Sequence, residues 1–109
     1  MVNSGPIKVA VVQAAPVWLD LDASIDKAVE LIREAATNGA KLVAFGEAWL
    51  PGYPFWVWVD GPFTNFERFA QYQSCALDLQ SEQAQRINRA AAENGIYVVS
   101  GYSEYDRGS

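Results

Sequence analysis

The sequence contains no histidine and a single cysteine, and both scarcities limit the chemistry that it can perform. Without histidine, the Ser-His-Asp and Cys-His catalytic arrangements and most zinc sites are excluded. One cysteine cannot form an intrachain disulfide, so the fold must rest on packing. Chemistry is therefore limited to carboxylates, lysines, hydroxyls and one thiol, and we expect neither a metal nor a cofactor.

Clustered basic residues and long apolar runs are also missing. The net charge is −5 and Lys or Arg form no run, which argues against nucleic acid and anionic membrane surfaces as partners. No apolar stretch reaches transmembrane length, and the first six residues lack the basic and apolar regions of a signal peptide. Glycine signatures of nucleotide sites are absent as well. We therefore predict a cytoplasmic protein that binds neither nucleic acid nor membrane.

Three short apolar runs are typical of buried strands, and they cover residues 7–12, 42–45 and 96–100, of which the first is rich in β-branched residues. The chain has 109 residues, of which 50% are hydrophobic, so it can bury the core of one small α/β domain. Helical patterns lie between the runs. This order predicts a mostly parallel sheet with right-handed helical connections.

Two helical patterns end in the same way. The first begins at Asp22, the expected N-cap, and the second begins at Asp78 or Ser81. Both close with the pattern A-A-x-N-G, which predicts a left-handed C-terminal stop before the next strand. Their apolar stripes, expected to pack on the sheet, are Ile25, Val29 and Ile32 in the first and Ala84, Ile87 and Ala91 in the second.

A long aromatic connection follows the second strand, over residues 46–64. Loops of this length are uncommon unless they are functional. A short helix is predicted after it, over residues 66–77, and contains Cys75. Because Cys75 has no cation beside it in the sequence and lies on no recognisable nucleophile turn, we interpret it as a packing residue.

Glu47 is the candidate for acid–base chemistry. It lies two residues beyond the second strand, at the sheet edge where sites of open parallel sheets collect. Among aromatic and proline neighbours we expect its carboxylate to be partly desolvated, which disfavours the charged form and suits a general base. From position alone, a solvated loop glutamate and a helix-capping carboxylate remain alternatives.

The segment F-G-E-A-W-L-P-G-Y-P-F-W, residues 45–56, is similar to the segment around the first catalytic glutamate of nitrilases, in the carbon–nitrogen hydrolase superfamily. Residues 8–16, 35–45 and 96–104 resemble other parts of that family in the same order. The sequence departs from the pattern at Gly46, where many members have proline. P-G-Y-P followed by aromatics favours the nitrile-hydrolysing branch over the amidase and carbamoylase branches.

The resemblance implies that residues 1–109 are the incomplete N-terminal part of a single carbon–nitrogen hydrolase domain. Its α/β fold would be a βαβαβ portion of an αββα sandwich, whose other layers lie in the remainder of the chain. The polar turn at residues 103–109 fits a chain that continues. Such a portion leaves a sheet edge and an apolar face uncovered, so we expect it to be poorly stable alone.

The resemblance also implies a Glu-Lys-Cys site that converts a nitrile and water to a carboxylic acid and ammonia. Glu47 is the implied general base on the cysteine thiol, and Tyr53 is the implied pocket-lining tyrosine. In the family, the lysine that stabilises the tetrahedral species and the nucleophilic cysteine lie after the third strand. We therefore expect this chain alone to be inactive, and the full-length protein to form homo-oligomers.

Alternatives stay open at two points. The other aromatics near Glu47 could line a substrate pocket, but packing in the core or in a subunit contact is the favoured interpretation for each: Trp49, Phe55, Trp56 and Trp58. The chain could also be a non-catalytic or truncated hydrolase-like module that acts in assembly or binding, or part of an amidase or a cyanide-hydrolysing relative. A downstream lysine and cysteine in the source gene would favour the enzyme.

Overall fold

Three short parallel strands form the centre of the fold in the computed structural model, which describes residues 5–106. They lie in the order β1 (Val9–Val11), β2 (Leu42–Ala44) and β3 (Tyr97–Val99). In the register, Val43 pairs with Ala10 on one side and with Val98 on the other. The predicted α/β class and parallel sheet are confirmed. Residues 107–109 of the predicted polar end lie outside the described residues.

Each strand is shorter than its apolar run, although single hydrogen bonds extend the pairing. Val12 N donates to Ala44 O at 2.9 Å, and Phe45 N donates to Val99 O at 2.8 Å. Beyond these bonds the chains diverge into the loops at the carboxyl edge, so the ladder stops there. The runs therefore predicted the strands correctly but overestimated their length.

Three α-helices and one 3₁₀ helix connect the strands. Helix α1 (Leu21–Thr37) joins β1 to β2, and helices α2 (Phe66–Ser74) and α3 (Glu82–Asn94) lie between β2 and β3. The 3₁₀ helix, Phe55–Trp58, interrupts the aromatic connection. Within residues 5–106, no helix combines the length and apolarity needed to cross a membrane.

The start of α1 differs from the prediction. The N-cap is Asp20, not Asp22: its backbone is extended, and its carboxylate accepts a hydrogen bond from Ala23 N at 3.0 Å. Asp22 lies in the first turn instead, where its negative charge interacts favourably with the positive end of the helix dipole. Ser81 is the N-cap of α3 and accepts from Ala84 N, which decides between the two predicted starts.

The two helix-to-strand passages share one geometry, as their shared sequence pattern predicts. Ala40 N donates to Ala35 O at 3.0 Å, and Ile96 N donates to Ala91 O at 3.1 Å. These are the long bonds of a Schellman motif, which satisfy carbonyls at a helix end. The required left-handed residue is glycine in both passages, with φ of 89° at Gly39 and 60° at Gly95.

Helices α1 and α3 pack against each other and cover one face of the sheet. Ile25 and Ile32 of α1 are fully buried beside Val43, while Val29 is partly buried at the edge of this core. The opposite face of the sheet is largely exposed, and its most exposed residues are Val9, Val11, Tyr97 and Val99. This arrangement matches the expectation of one uncovered apolar face.

Candidate active site

Glu47 lies in a tight turn directly after β2, at the carboxyl edge of the sheet. Trp49 N donates to Gly46 O at 3.3 Å, which closes a turn of residues 46–49, here called the Glu47 turn. Ala48 has a φ of 47°, in the left-handed region that non-glycine residues seldom adopt. Such a conformation costs on the order of 1–2 kcal/mol and persists only where the surroundings enforce it. The backbone at Glu47 is therefore tightly constrained.

The exit of β1 supplies one of these constraints. The indole Nε1 of Trp49 donates to Ala14 O at 2.8 Å, and its ring packs edge-on against Phe45 with 4.9 Å between centroids. Trp49 is buried. It therefore anchors the Glu47 turn to the neighbouring strand, which confirms the packing interpretation for this tryptophan.

Residues 100–104, which follow β3 and are here called the β3 exit, supply a second constraint. Leu50 N donates to Gly101 O at 3.3 Å, and Ser103 N donates to Leu50 O at 2.8 Å, so this stretch runs parallel to residues 101–103. Farther along the chain, Leu77 N donates to Ser103 O at 2.8 Å. Residues 46–79, here called the excursion, are thus attached to the β3 exit near both of their ends.

The Glu47 carboxylate is exposed, so the predicted partial desolvation is wrong for the part of the chain that the structure describes. The first aromatic residues after it pack elsewhere: the Trp49 ring lies against Phe45, and the Phe55 ring lies against the fully buried Trp56. The rings that contact Trp56 belong to Trp18, Phe55, Phe69 and Tyr72. Within residues 5–106, no hydrogen bond or ion pair involves the Glu47 carboxylate.

Trp56 forms the centre of the excursion, which confirms the packing interpretation for it. The buried Asn65 supports it by donating to Trp56 O at 3.3 Å and Asp60 O at 3.2 Å. Asp60 also forms an ion pair with Arg68, with 2.9 Å between Nη1 and Oδ2. The excursion therefore has its own small core.

Tyr53 is about 42% exposed, and its hydroxyl accepts a hydrogen bond from Trp58 Nε1 at 3.0 Å. Gly52, just before it, has a φ of 132° and is covered by the Trp18 ring so closely that a Cβ would collide with it. Tyr53 and Glu47 lie on one continuous stretch and both reach solvent, but no hydrogen bond joins them among the described residues. Trp58 and Phe55 are also exposed, although the Phe55 ring contacts Trp18 and Trp56, so the packing interpretation stays a prediction for Trp58 and holds in part for Phe55.

Cys75 caps the C-terminal end of α2 and is partly buried. Its Sγ donates to Leu19 O at 3.2 Å, and Ser74 Oγ is the other polar atom near it, at 3.8 Å. Reactive cysteines are typical of helix N-termini or of positions beside a cation, whereas Cys75 lies at the opposite end of its helix. These surroundings fit the interpretation of Cys75 as a packing residue.

The contacts between the β3 exit and the Glu47 turn were not predicted from the sequence. Gly101 lies directly against the turn, and the hydroxyl of Ser103 contacts that of Tyr72. A signal was present, because a glycine just after a strand often marks a close approach of another backbone. As for metals, the described residues include no group of three or more His, Cys, Asp or Glu side chains that could hold an ion.

Comparisons with known proteins show which sequences the chain resembles. Residues 8–109 match the family described as carbon-nitrogen hydrolase. The chain is 52% identical over 104 residues to a nitrilase of Pseudomonas syringae pv. syringae (strain B728a), covering 95% of this chain and 31% of that protein. It is 47% identical to an aliphatic nitrilase of Rhodococcus rhodochrous, covering 97% and 28%. It is 50% identical to an arylacetonitrilase of Aspergillus kawachii (strain NBRC 4308), covering 93% and 30%. The chain thus spans roughly three tenths of the length of these relatives.

Proposed function

The chain belongs to the carbon–nitrogen hydrolase family, and from that premise we propose that residues 1–109 are the N-terminal part of a nitrilase domain whose general base is Glu47. The observation that carries the proposal is the position of Glu47. It lies in a constrained turn at the carboxyl edge of a parallel sheet, where such sheets place their sites, and its carboxylate is exposed. A base needs both a fixed position and access to its proton donor.

In the proposed reaction, the Glu47 carboxylate takes the proton of a cysteine thiol, and the sulfur forms a bond to the nitrile carbon. The nitrile nitrogen is protonated to give a thioimidate. Water adds to that carbon, the carbon–nitrogen bond breaks and ammonia leaves, which yields a thioester. A second water then cleaves the carbon–sulfur bond and releases the carboxylic acid and the thiol.

The nucleophilic cysteine and the lysine of this proposal lie outside the 109 residues. Cys75, at the C-terminal end of α2, is a poor candidate because its thiol donates a hydrogen bond to the main-chain carbonyl of Leu19. Reading the source gene beyond Ser109 tests this part directly. Segments bearing a lysine and a cysteine support the enzyme, whereas their absence would favour a non-catalytic module.

A nitrile is the proposed substrate because the relatives compared above are named as nitrilases at 47–52% identity. A cyanide hydratase of Alternaria brassicicola is also a relative, at 42% identity. Tyr53 is proposed to contact the substrate, since it lies on the same stretch as Glu47 and remains partly exposed. A homo-oligomer is proposed on the resemblance alone, and the cytoplasmic location stays a prediction.

Glu47→Gln in the complete enzyme tests the proposal. The amide keeps the shape of the carboxylate but cannot accept the thiol proton. We expect the rate of ammonia release from butyronitrile or phenylacetonitrile, whichever the wild type hydrolyses faster, to fall by about 10²–10⁴-fold.

Glu67→Gln is the matched control, since Glu67 is an exposed carboxylate in the first turn of α2. Its rate should stay at the wild-type level. Folding and assembly of both variants are checked by circular dichroism and size-exclusion chromatography. A folded Glu47→Gln enzyme whose rate stays within about threefold of wild type would show that Glu47 is not the base.

A further inference from the structure

Gly101 stands where the β3 exit crosses the Glu47 turn, and it is distant from that turn in sequence. A Cβ added at Gly101 would lie 2.5 Å from Gly46 O, 2.8 Å from Ala48 N and 3.0 Å from Glu47 Cα. All three atoms belong to the backbone, so none of them can rotate away as the end of a flexible side chain would. The absence of a side chain at residue 101 is what allows this contact.

The backbone conformation does not explain this glycine. Left-handed φ values occur at Gly39, Gly52 and Gly95, but the φ of Gly101 lies outside that region. A left-handed φ is therefore not what requires glycine there, and space is the requirement that the structure shows. The space is filled by the turn that carries the proposed base.

We propose that Gly101 is a positioning residue for Glu47: its bare backbone serves as the surface on which the Glu47 turn rests. The proposal depends on Glu47 being the base. Leu50 N binds Gly101 O at 3.3 Å and holds the two segments together, while Ala48 is held at a φ of 47°. The contact with the β3 exit and the strained conformation of Ala48 together fix the position of the Glu47 Cα atom.

Gly101→Ala is the direct test, made in the complete enzyme. The methyl group must push the turn away, and a displacement of about 1 Å in a catalytic group can lower a rate by about 10²-fold. We expect kcat for the chosen nitrile to fall by roughly 10–100-fold while KM stays within about threefold. Gly61→Ala is the matched control, because a Cβ there meets nothing within 4 Å.

A double-mutant cycle separates positioning from a general loss of structure. If Gly101 acts through Glu47, then adding Gly101→Ala to the Glu47→Gln enzyme should lower the rate by less than about threefold. An equal loss in both backgrounds would overturn the proposal, as would a Gly101→Ala enzyme with nearly wild-type kcat. The proposed function is tested separately, by the Glu47→Gln rate alone.

Ala48→Gly alters the Glu47 turn itself, and it tests the proposal if Gly101→Ala does not fold. Glycine relieves the strain of the left-handed conformation, so the thermal midpoint should not fall. The turn then loses the constraint of its left-handed residue and can shift on Gly101, so kcat should fall several-fold with KM and assembly unchanged. Wild-type kcat in this variant would overturn the proposal.

Discussion

The sheet with helices α1 and α3, here called the frame, and the excursion bury their side chains in different ways. In the frame, buried residues recur with the period of the helix, as Ile25, Ala28 and Ile32 do in α1. In the excursion, buried residues follow no period, and particular distant groups hold them. Trp49 binds the Ala14 carbonyl, for example, and Leu50 binds the β3 exit.

This difference shows how one small fold can combine regularity with a site. Periodic burial spreads stability over many similar contacts, and it places the ends of the strands at one edge. The excursion then uses a few individual contacts to fix a turn at that edge. Single substitutions should therefore have more uneven effects in the excursion than in the frame.

Trp56→Ala should have the largest effect on stability. Trp56 is fully buried at the centre of the excursion, and removing such a side chain typically costs about 3–5 kcal/mol. Trp58→Ala is the matched control because Trp58 is about 78% exposed, and it should change stability by less than about 0.5 kcal/mol. Urea unfolding of the complete enzyme, followed by circular dichroism, measures both. Similar losses in the two variants would contradict the separate core assigned to the excursion.

The same glycine-to-alanine change should cost more in the excursion than in the frame. At Gly95, a Cβ meets nothing within 4 Å, so the cost is conformational alone, about 1 kcal/mol. At Gly52, the conformational cost is joined by a collision with the Trp18 ring. We therefore expect the thermal midpoint to fall further in Gly52→Ala than in Gly95→Ala. The reverse order would mean that Trp18 moves aside freely.

Gly46→Ala should have a small effect, and in the opposite direction. A Cβ at Gly46 meets nothing within 4 Å, and its φ lies outside the left-handed region. Alanine reduces the freedom of the unfolded chain, which typically stabilises by about 0.4–1 kcal/mol. A lower midpoint in differential scanning calorimetry would show that the turn needs the flexibility of this glycine.

The frame could be predicted from the sequence, whereas the excursion could be predicted only in outline. Periodic apolar residues and the two A-A-x-N-G patterns indicated the sheet, both long helices and their ends. The N-cap at Asp20 was missed because two aspartates flank the helix start and only the backbone conformation distinguishes them. Ser103 was missed because its bonds to Leu50 and Leu77 are main-chain bonds, which no side chain announces.

The exposure of Glu47 was mispredicted for a related reason. Aromatic residues close to it in sequence suggested apolar surroundings, but the Trp49 ring packs against Phe45, and the Phe55 ring packs against Trp56. Closeness along the chain does not determine the direction of a side chain in an irregular segment. Its position at the sheet edge was predictable, because that follows from the order of the strands.

Ser103 has a consequence for how this fold can vary between relatives. Its N–H binds Leu50 O and its carbonyl accepts from Leu77 N, so one residue clasps the excursion near both ends. Once the two ends are held together, doubling the length of the chain between them costs only about 0.6 kcal/mol of closure entropy. The length of the intervening segment can therefore change at a small entropic cost while the clasp and the sheet behind it stay unchanged.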